Sequence, residues 1–181
     1  MSQFKYLGEK LFVEDLAVQS IAKKNKTPFY LYSEQQLKKN YLNFVKIFKN
    51  VNPLICFAAK ANTNLTIMKI LGKLGAGADV VSGGELLKAL KAGIKPNKIV
   101  FSGVGKTEEE LKLAIKKKIL LINVESESEA ILINKIGSKI NKIIPVGFRL
   151  NPNIDAKTHK KISTGKAENK FGISIKNFSY F

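Results

Sequence analysis

The chain is 181 residues long, 45% hydrophobic and 25% charged, the balance of a soluble globular protein, which excludes wholesale disorder and a collagen-like fibre. Basic residues outnumber acidic ones 31 to 14, for a formal net charge of +17, yet no apolar run approaches the roughly 20 residues that span a bilayer. A single cysteine, Cys56, excludes an intrachain disulfide, and with only one histidine, His159, a zinc site of His and Cys ligands is excluded too.

In chain order, residues 29–32 form the first short apolar run and read as a strand. Leu37, Tyr41, Phe44, Val45 and Phe48 follow at helical spacing. The same alternation then recurs, with strand-like runs at 54–59, 78–81, 99–101, 119–124 and 143–150. Their continuous apolar, β-branched character predicts strands buried on both faces. Between them lie helical faces built from Ile67, Ile70, Leu71 and Leu74, then Leu86, Leu87 and Leu90, then Leu111, Ala114 and Ile115, then Ile131, Leu132 and Ile136. A βα unit repeated about every 20–27 residues predicts an α/β protein with parallel strands and right-handed crossovers.

Helix starts support this register. Ser33-x-x-Gln36, Ser82-x-x-Glu85, Thr107-x-x-Glu110 and Ser126-x-x-Glu129 each read as a capping box directly after a strand. They put the strand carboxyl ends, where ligands of parallel sheets bind, near residues 60, 79–83, 102–106, 124–126 and 149–153. Gly75-Ala76-Gly77, Gly83-Gly84 and Gly103-Val104-Gly105 match no nucleotide fingerprint and read as turns and close backbone packing. Gly105-Lys106-Thr107 fails as a P-loop because Val100 stands where the earlier glycine is required. From residue 151 to 170 periodicity fades into a long polar segment, which reads as a functional loop.

The positive charge does not by itself indicate a nucleic-acid partner. Arg149 is the only arginine, whereas base and phosphate readers favour the bidentate guanidinium. The lysines are spread over nearly every polar helix face instead of forming one block. The opening Met1-Ser2-Gln3-Phe4-Lys5 lacks the apolar core of a signal peptide, so a cytoplasmic protein with no membrane partner is expected. Lys60 ends the apolar run Ile55-Cys56-Phe57-Ala58-Ala59, where partial desolvation would favour the neutral amine that Schiff-base chemistry needs.

The letters around Lys60 carry a resemblance. Phe57-Ala58-Ala59-Lys60-Ala61-Asn62 is similar to the pyridoxal-phosphate lysine motif of the alanine-racemase-like, fold-type III decarboxylases. Thr27-Pro28-Phe29-Tyr30-Leu31-Tyr32 and Gly77-Ala78-Asp79-Val80-Val81-Ser82-Gly83-Gly84-Glu85 match flanking segments of the same family. Phe148-Arg149-Leu150-Asn151-Pro152-Asn153, then Lys157-Thr158-His159-Lys160-Lys161-Ile162-Ser163-Thr164-Gly165 and Asn169-Lys170-Phe171-Gly172, resemble the diaminopimelate decarboxylase branch rather than the ornithine or arginine branches. The resemblance extends over residues 4–175.

The resemblance implies pyridoxal 5'-phosphate as cofactor and meso-2,6-diaminopimelate as a small amino-acid substrate, decarboxylated to L-lysine and CO2. It implies that Lys60 is catalytic, bonding to the cofactor and later returning a proton to the substrate carbon. Asp79 and Arg149 would be cofactor-binding residues. His159 matches the mobile-loop histidine and would act in substrate gating, not in stacking on the cofactor ring. Ser82 and Glu85 would only cap their helix. No metal is implied, and a homodimer is expected of the complete enzyme. Two alternatives stay open: a related ornithine or carboxynorspermidine decarboxylase, and a non-catalytic basic fragment that binds polyanions.

The fold implied is a partial (β/α)8 TIM-type barrel. A closed barrel takes about eight strands and about 250 residues, and the runs counted here supply five. Residues 1–33 would form the amino-terminal segment of a separate β domain, the strand at 29–32 included, and residues 34–181 an incomplete cofactor-binding barrel. The family's later histidine, glycine-rich phosphate loop, carboxylate for the cofactor nitrogen and late Cys and Tyr have no counterpart here. An amino-terminal fragment, inactive in isolation, is therefore expected.

Overall fold

A computed structural model describes residues 3–152, 154 and 172–174. The chain forms two compact units, Met1–Ile55 and Cys56–Phe181. In the first, β1 (Phe4–Leu7), β2 (Lys10–Val13) and β3 (Leu16–Ala17) form an antiparallel sheet, followed by α1 (Val18–Lys24) and α2 (Glu34–Ile47). The Glu14 carboxylate accepts from the Ser33 hydroxyl (2.7 Å) and the Gln35 amide (3.0 Å) at the start of α2. Negative charge beside unpaired helix N–H groups is favourable there, and these bonds hold the Glu14 carboxyl below its ordinary pKa.

The second unit alternates strand and helix: β4 (Cys56–Ala58), α3 (Leu65–Lys73), β5 (Gly77–Val80), α4 (Gly83–Lys91), β6 (Ile99–Phe101), α5 (Glu108–Lys117), β7 (Leu121–Val124), α6 (Glu127–Lys139) and β8 (Val146–Phe148). The five strands are parallel and lie in the order β4-β5-β6-β7-β8. Sequential order without reversal is the winding of a (β/α)8 TIM-type barrel, not of a doubly wound sheet. Past β8, β9 (Leu150–Asn151) pairs in parallel with β10 (Ile173–Ser174), and the Ile173 amide donates to the Arg149 carbonyl (2.7 Å).

The parallel strands are not buried on both faces as their apolar character led us to expect. Register places Phe57, Ala78, Ile99, Ile122 and Val146 on one face, with Val80, Phe101, Val124 and Phe148 one step further along the same side. These meet Met68, Leu86, Ala89, Leu111, Ala114, Ile133 and Ile136 from the helices in one apolar core. Each large side chain buried there contributes about 1.5–3 kcal/mol. The alternate positions, Cys56, Asp79, Val100, Leu121, Asn123 and Gly147, lie on the opposite face and are only half-buried. Helices cover one side of the sheet, so burial follows a period of two.

Three further expectations need correction. Residues 29–32 form no strand; Tyr30 and Tyr32 are exposed, and among the described residues no neighbouring strand offers this extended segment a hydrogen-bond ladder. Leu87 and Ile131 are also exposed, while Ala89 and Ile133 take the core-facing positions. Of the four capping boxes only Thr107 and Glu110 form the reciprocal pair. Ser33, Ser82 and Ser126 cap their helices one way, accepting from the amides of Gln36, Glu85 and Glu129. Glu85 and Glu129 reach one residue further back, accepting from the amides of Val81 and Glu125 (both 2.9 Å). The helix starts are thereby tied to the strand ends.

Glu110 does a similar job between neighbouring units, accepting from the Gly83 amide at the start of α4 (2.7 Å) and the Thr107 amide (3.0 Å). These two backbone bonds lower its pKa. A lowered folded-state pKa means stability that is present above the unfolded value and lost as pH falls through the folded one. Glu110→Gln, which keeps the shape but loses one acceptor, is expected to cost about 1 kcal/mol at neutral pH. Urea unfolding as a function of pH checks this: the difference from the parent should shrink as the medium is acidified through and below the ordinary carboxylate range.

Candidate active site

The half-buried face becomes polar where the strands end. Carried one residue past the ends of β5, β6, β7 and β8, the alternation runs from Asp79 to Val81, from Val100 to Ser102, from Asn123 to Glu125 and from Gly147 to Arg149. The ladder extends to these positions, since the Ser102 amide donates to Val80 (2.8 Å) and the Arg149 amide to Val124 (3.0 Å). Asp79, Val81, Ser102, Asn123, Glu125 and Arg149, together with Lys60, Gly103 and Val104, line one cavity of about 620 Å³. That volume is in the range of small-molecule sites, and it lies at the carboxyl ends of parallel strands, where such sites are found.

Lys60 is carried on a single 3-10 turn, Ala59–Ala61, directly after β4. The buried Ala59 and the helix that begins at Leu65, capped by Asn64, fix this turn. Its side chain is exposed, so the desolvation expected from its apolar flank is not supplied by the described residues. Asp79 accepts from the Ser102 hydroxyl (2.5 Å), and Ser102 in turn accepts from the Asn123 side-chain amide (2.9 Å). An amide nitrogen can only donate, so the Ser102 proton is directed at Asp79, which acts as the acceptor of a carboxylate. The negative charge of Asp79 is felt by Cys56: burial, then Asp79, push the Cys56 thiol pKa up against the opposing influence of Lys98.

At the far wall Arg149 donates to both oxygens of Glu125 (3.1 and 3.3 Å), with the carboxylate 3% exposed and the guanidinium side chain 39% exposed. Glu125 also accepts from the Gly103 amide (3.0 Å). The structure thus brings Lys60, Asp79 and Arg149 to one cavity. His159 and the segment 157–165 lie outside the described residues. The sequence reading missed Ser102, Asn123 and Glu125. Their signal was present: Asn123 is a lone polar residue inside Leu121-Ile122-Asn123-Val124, and Ser102 and Glu125 stand two residues beyond inner-face positions.

A larger groove of about 860 Å³ lies beside α6 and β8. Among the described residues Lys142 is the only charged side chain on its lining. Among the described residues no cluster of three or more His, Cys, Asp or Glu side chains could hold a metal ion, and no helix is long and apolar enough to cross a membrane.

Gly103 is the backbone position on which the cavity wall turns. Its φ is +94°, and an added Cβ would come within 3.3 Å of Val81. Gly103→Ala is expected to cost about 1–3 kcal/mol through backbone strain. Its urea midpoint should fall accordingly, and the Gly103–Glu125 bond should weaken, seen as faster exchange of that amide.

Comparison with known proteins adds an independent line. Residues 34–180 match the family model described as pyridoxal-dependent decarboxylase, pyridoxal binding domain. The diaminopimelate decarboxylase of Haemophilus influenzae is 46% identical over 175 residues, 97% of this chain and 42% of that protein. The Helicobacter pylori J99 enzyme of the same name is 54% identical over 151 residues, 83% of this chain and 37% of its own. A crystal structure of the M. jannaschii diaminopimelate decarboxylase with L-lysine superposes with a TM-score of 0.88 at 41% identity, covering 97% of this chain and 42% of that one. The chain thus spans about two fifths of the length of the relatives it matches. By the match over most of its length and by these identities, the chain belongs to the pyridoxal-dependent decarboxylase family and carries sequence of its pyridoxal-binding domain.

Proposed function

We propose that this chain supplies the Lys60 side of the site of a pyridoxal phosphate-dependent decarboxylase that converts meso-2,6-diaminopimelate to L-lysine and CO2. The observation that carries the reading is the convergence of Lys60, Asp79 and Arg149 on one cavity at the carboxyl ends of the strands. The donor set fits the cofactor. Lys60 is an exposed primary amine that can bond to an aldehyde, and Arg149 is a guanidinium anchored at the opposite wall for an anionic group. When bound, pyridoxal phosphate supplies an electron sink for the pair left behind as the carboxyl group departs.

The protein's own part is orientation and proton management. Lys60 holds the cofactor and returns a proton to the substrate carbon after CO2 leaves. Asp79, held in place by the Ser102 hydroxyl that donates to it, presents a carboxyl group to the cavity beside Lys60. Arg149, fixed by the buried Glu125, keeps a positive charge at the rim where acidic groups enter. We assign His159 to substrate gating in the same scheme. The pairing of β9 with β10 supports that role, because it ties residues 150–151 and 173–174, on either side of His159, to the rim beside Arg149. A small amino-acid substrate, a homodimeric complete enzyme and a cytoplasmic setting belong to this proposal. The identity to diaminopimelate decarboxylases favours this substrate over ornithine or carboxynorspermidine.

Borohydride reduction in the presence of pyridoxal phosphate, followed by peptide mass spectrometry, is expected to label Lys60, and Lys60→Ala should remove the label. Labelling of other lysines with Lys60 untouched overturns the assignment. For the substrate, the complete enzyme containing this chain should release CO2 from meso-diaminopimelate at least about a hundredfold faster than from ornithine, the discrimination that unpaired buried polar groups can enforce. Preference for ornithine refutes that part.

A further inference from the structure

Lys106 belongs to the Gly105-Lys106-Thr107 turn that fails as a P-loop, and it has no part in the proposed mechanism. It is nevertheless the most deeply buried charged group of the site's surroundings, with its side chain 1% exposed. Its ammonium donates to the Gly103 carbonyl, the Asn123 carbonyl and the Glu129 carboxylate, each at 2.7 Å. It also lies 5.6 Å from the centroid of the Phe101 ring. An ammonium has three protons, and here each has an acceptor, so the buried charge is fully satisfied.

The Gly103 amide donates to Glu125, and Glu125 binds Arg149. Asn123 donates through its side chain to Ser102, which donates to Asp79. The second oxygen of Glu129, itself only 10% exposed, accepts from the Glu125 amide. Asp79, Ser102, Gly103, Asn123, Glu125 and Arg149 are thus linked to one buried amine through short chains of hydrogen bonds. Lys106 itself is not on the cavity lining.

We propose that Lys106, through its buried pair with Glu129, is a positioning residue that sets the polar wall of the cavity opposite Lys60. This rests on the decarboxylase reading for its chemistry, but its structural content does not depend on a cofactor. A purely stabilising pair behaves differently. Replacing a buried ion pair by apolar residues of similar size is often neutral for stability, whereas removing one partner strands the other charge.

The test uses the 181-residue chain as the parent with Lys106→Met, Lys106→Arg and the double variant Lys106→Met/Glu129→Leu. Thermal unfolding should show Lys106→Met destabilised and the double variant largely recovered. Amide hydrogen exchange in the double variant should nonetheless be about tenfold faster at Gly103, with the sheet amide of Ser102 unmoved. Borohydride-trapped pyridoxal phosphate on Lys60 should form about tenfold more slowly in the double variant, and Lys106→Arg should recover part of that loss. Parent-like exchange at Gly103, acceleration of Gly103 and Ser102 together, or parent-like trapping in the recovered double variant overturns the proposal. Absence of trapping when the parent is part of the complete enzyme refutes the decarboxylase reading instead, and the exchange arm still decides the positioning of the wall.

Discussion

Alternation along parallel strands whose helices cover only one side governs both the stability of the second unit and the location of its site. Ala78, Ile99 and Ile122 with Val80, Phe101 and Val124 turn toward the helices, and their burial holds the sheet to α3, α4, α5 and α6. The register that buries them sends Asp79, Asn123 and the residues two steps further to the opposite side. A slip of one residue in β5 or β7 would exchange an aliphatic core position for the Asp79 carboxylate or the Asn123 amide, so core packing protects the register of the site.

The polar wall is held by bonds that run between neighbouring βα units. Glu85 and Glu129 bypass the reciprocal cap and grip the strand ends at Val81 and Glu125. Glu110 reaches from the start of α5 to the start of α4, and Glu125 from the end of β7 to the turn after β6. Each carboxylate joins backbone amides that a strand or helix end leaves without an internal partner. Acidic residues are scarce in this lysine-rich chain, and several of them are engaged in these joints.

Much of the fold was legible in the sequence. The spacing of apolar runs located all five parallel strands, and the Ser and Thr caps marked α2, α4, α5 and α6. Lys60, Asp79 and Arg149 were identifiable because each stands at a strand end within a recognisable motif. Ser102, Asn123 and Glu125 were legible only as polar residues in the inner-face alternation and Lys106 not at all, because their roles lie in partners 17 to 24 residues away in the chain. Residues 29–32 misled because apolar alternation signals an extended chain but says nothing of whether a neighbour is there to pair with it.

The sequence by itself determined the element order, the parallel architecture and the edge at which chemistry is placed, since these follow from local periodicity and from end-capping within a few residues. Only the tertiary structure decided which polar groups share the cavity and which way their protons point. Those depend on strand register and on a lysine buried between two strand ends and a helix, and contacts between distant parts of the chain leave no local pattern to read.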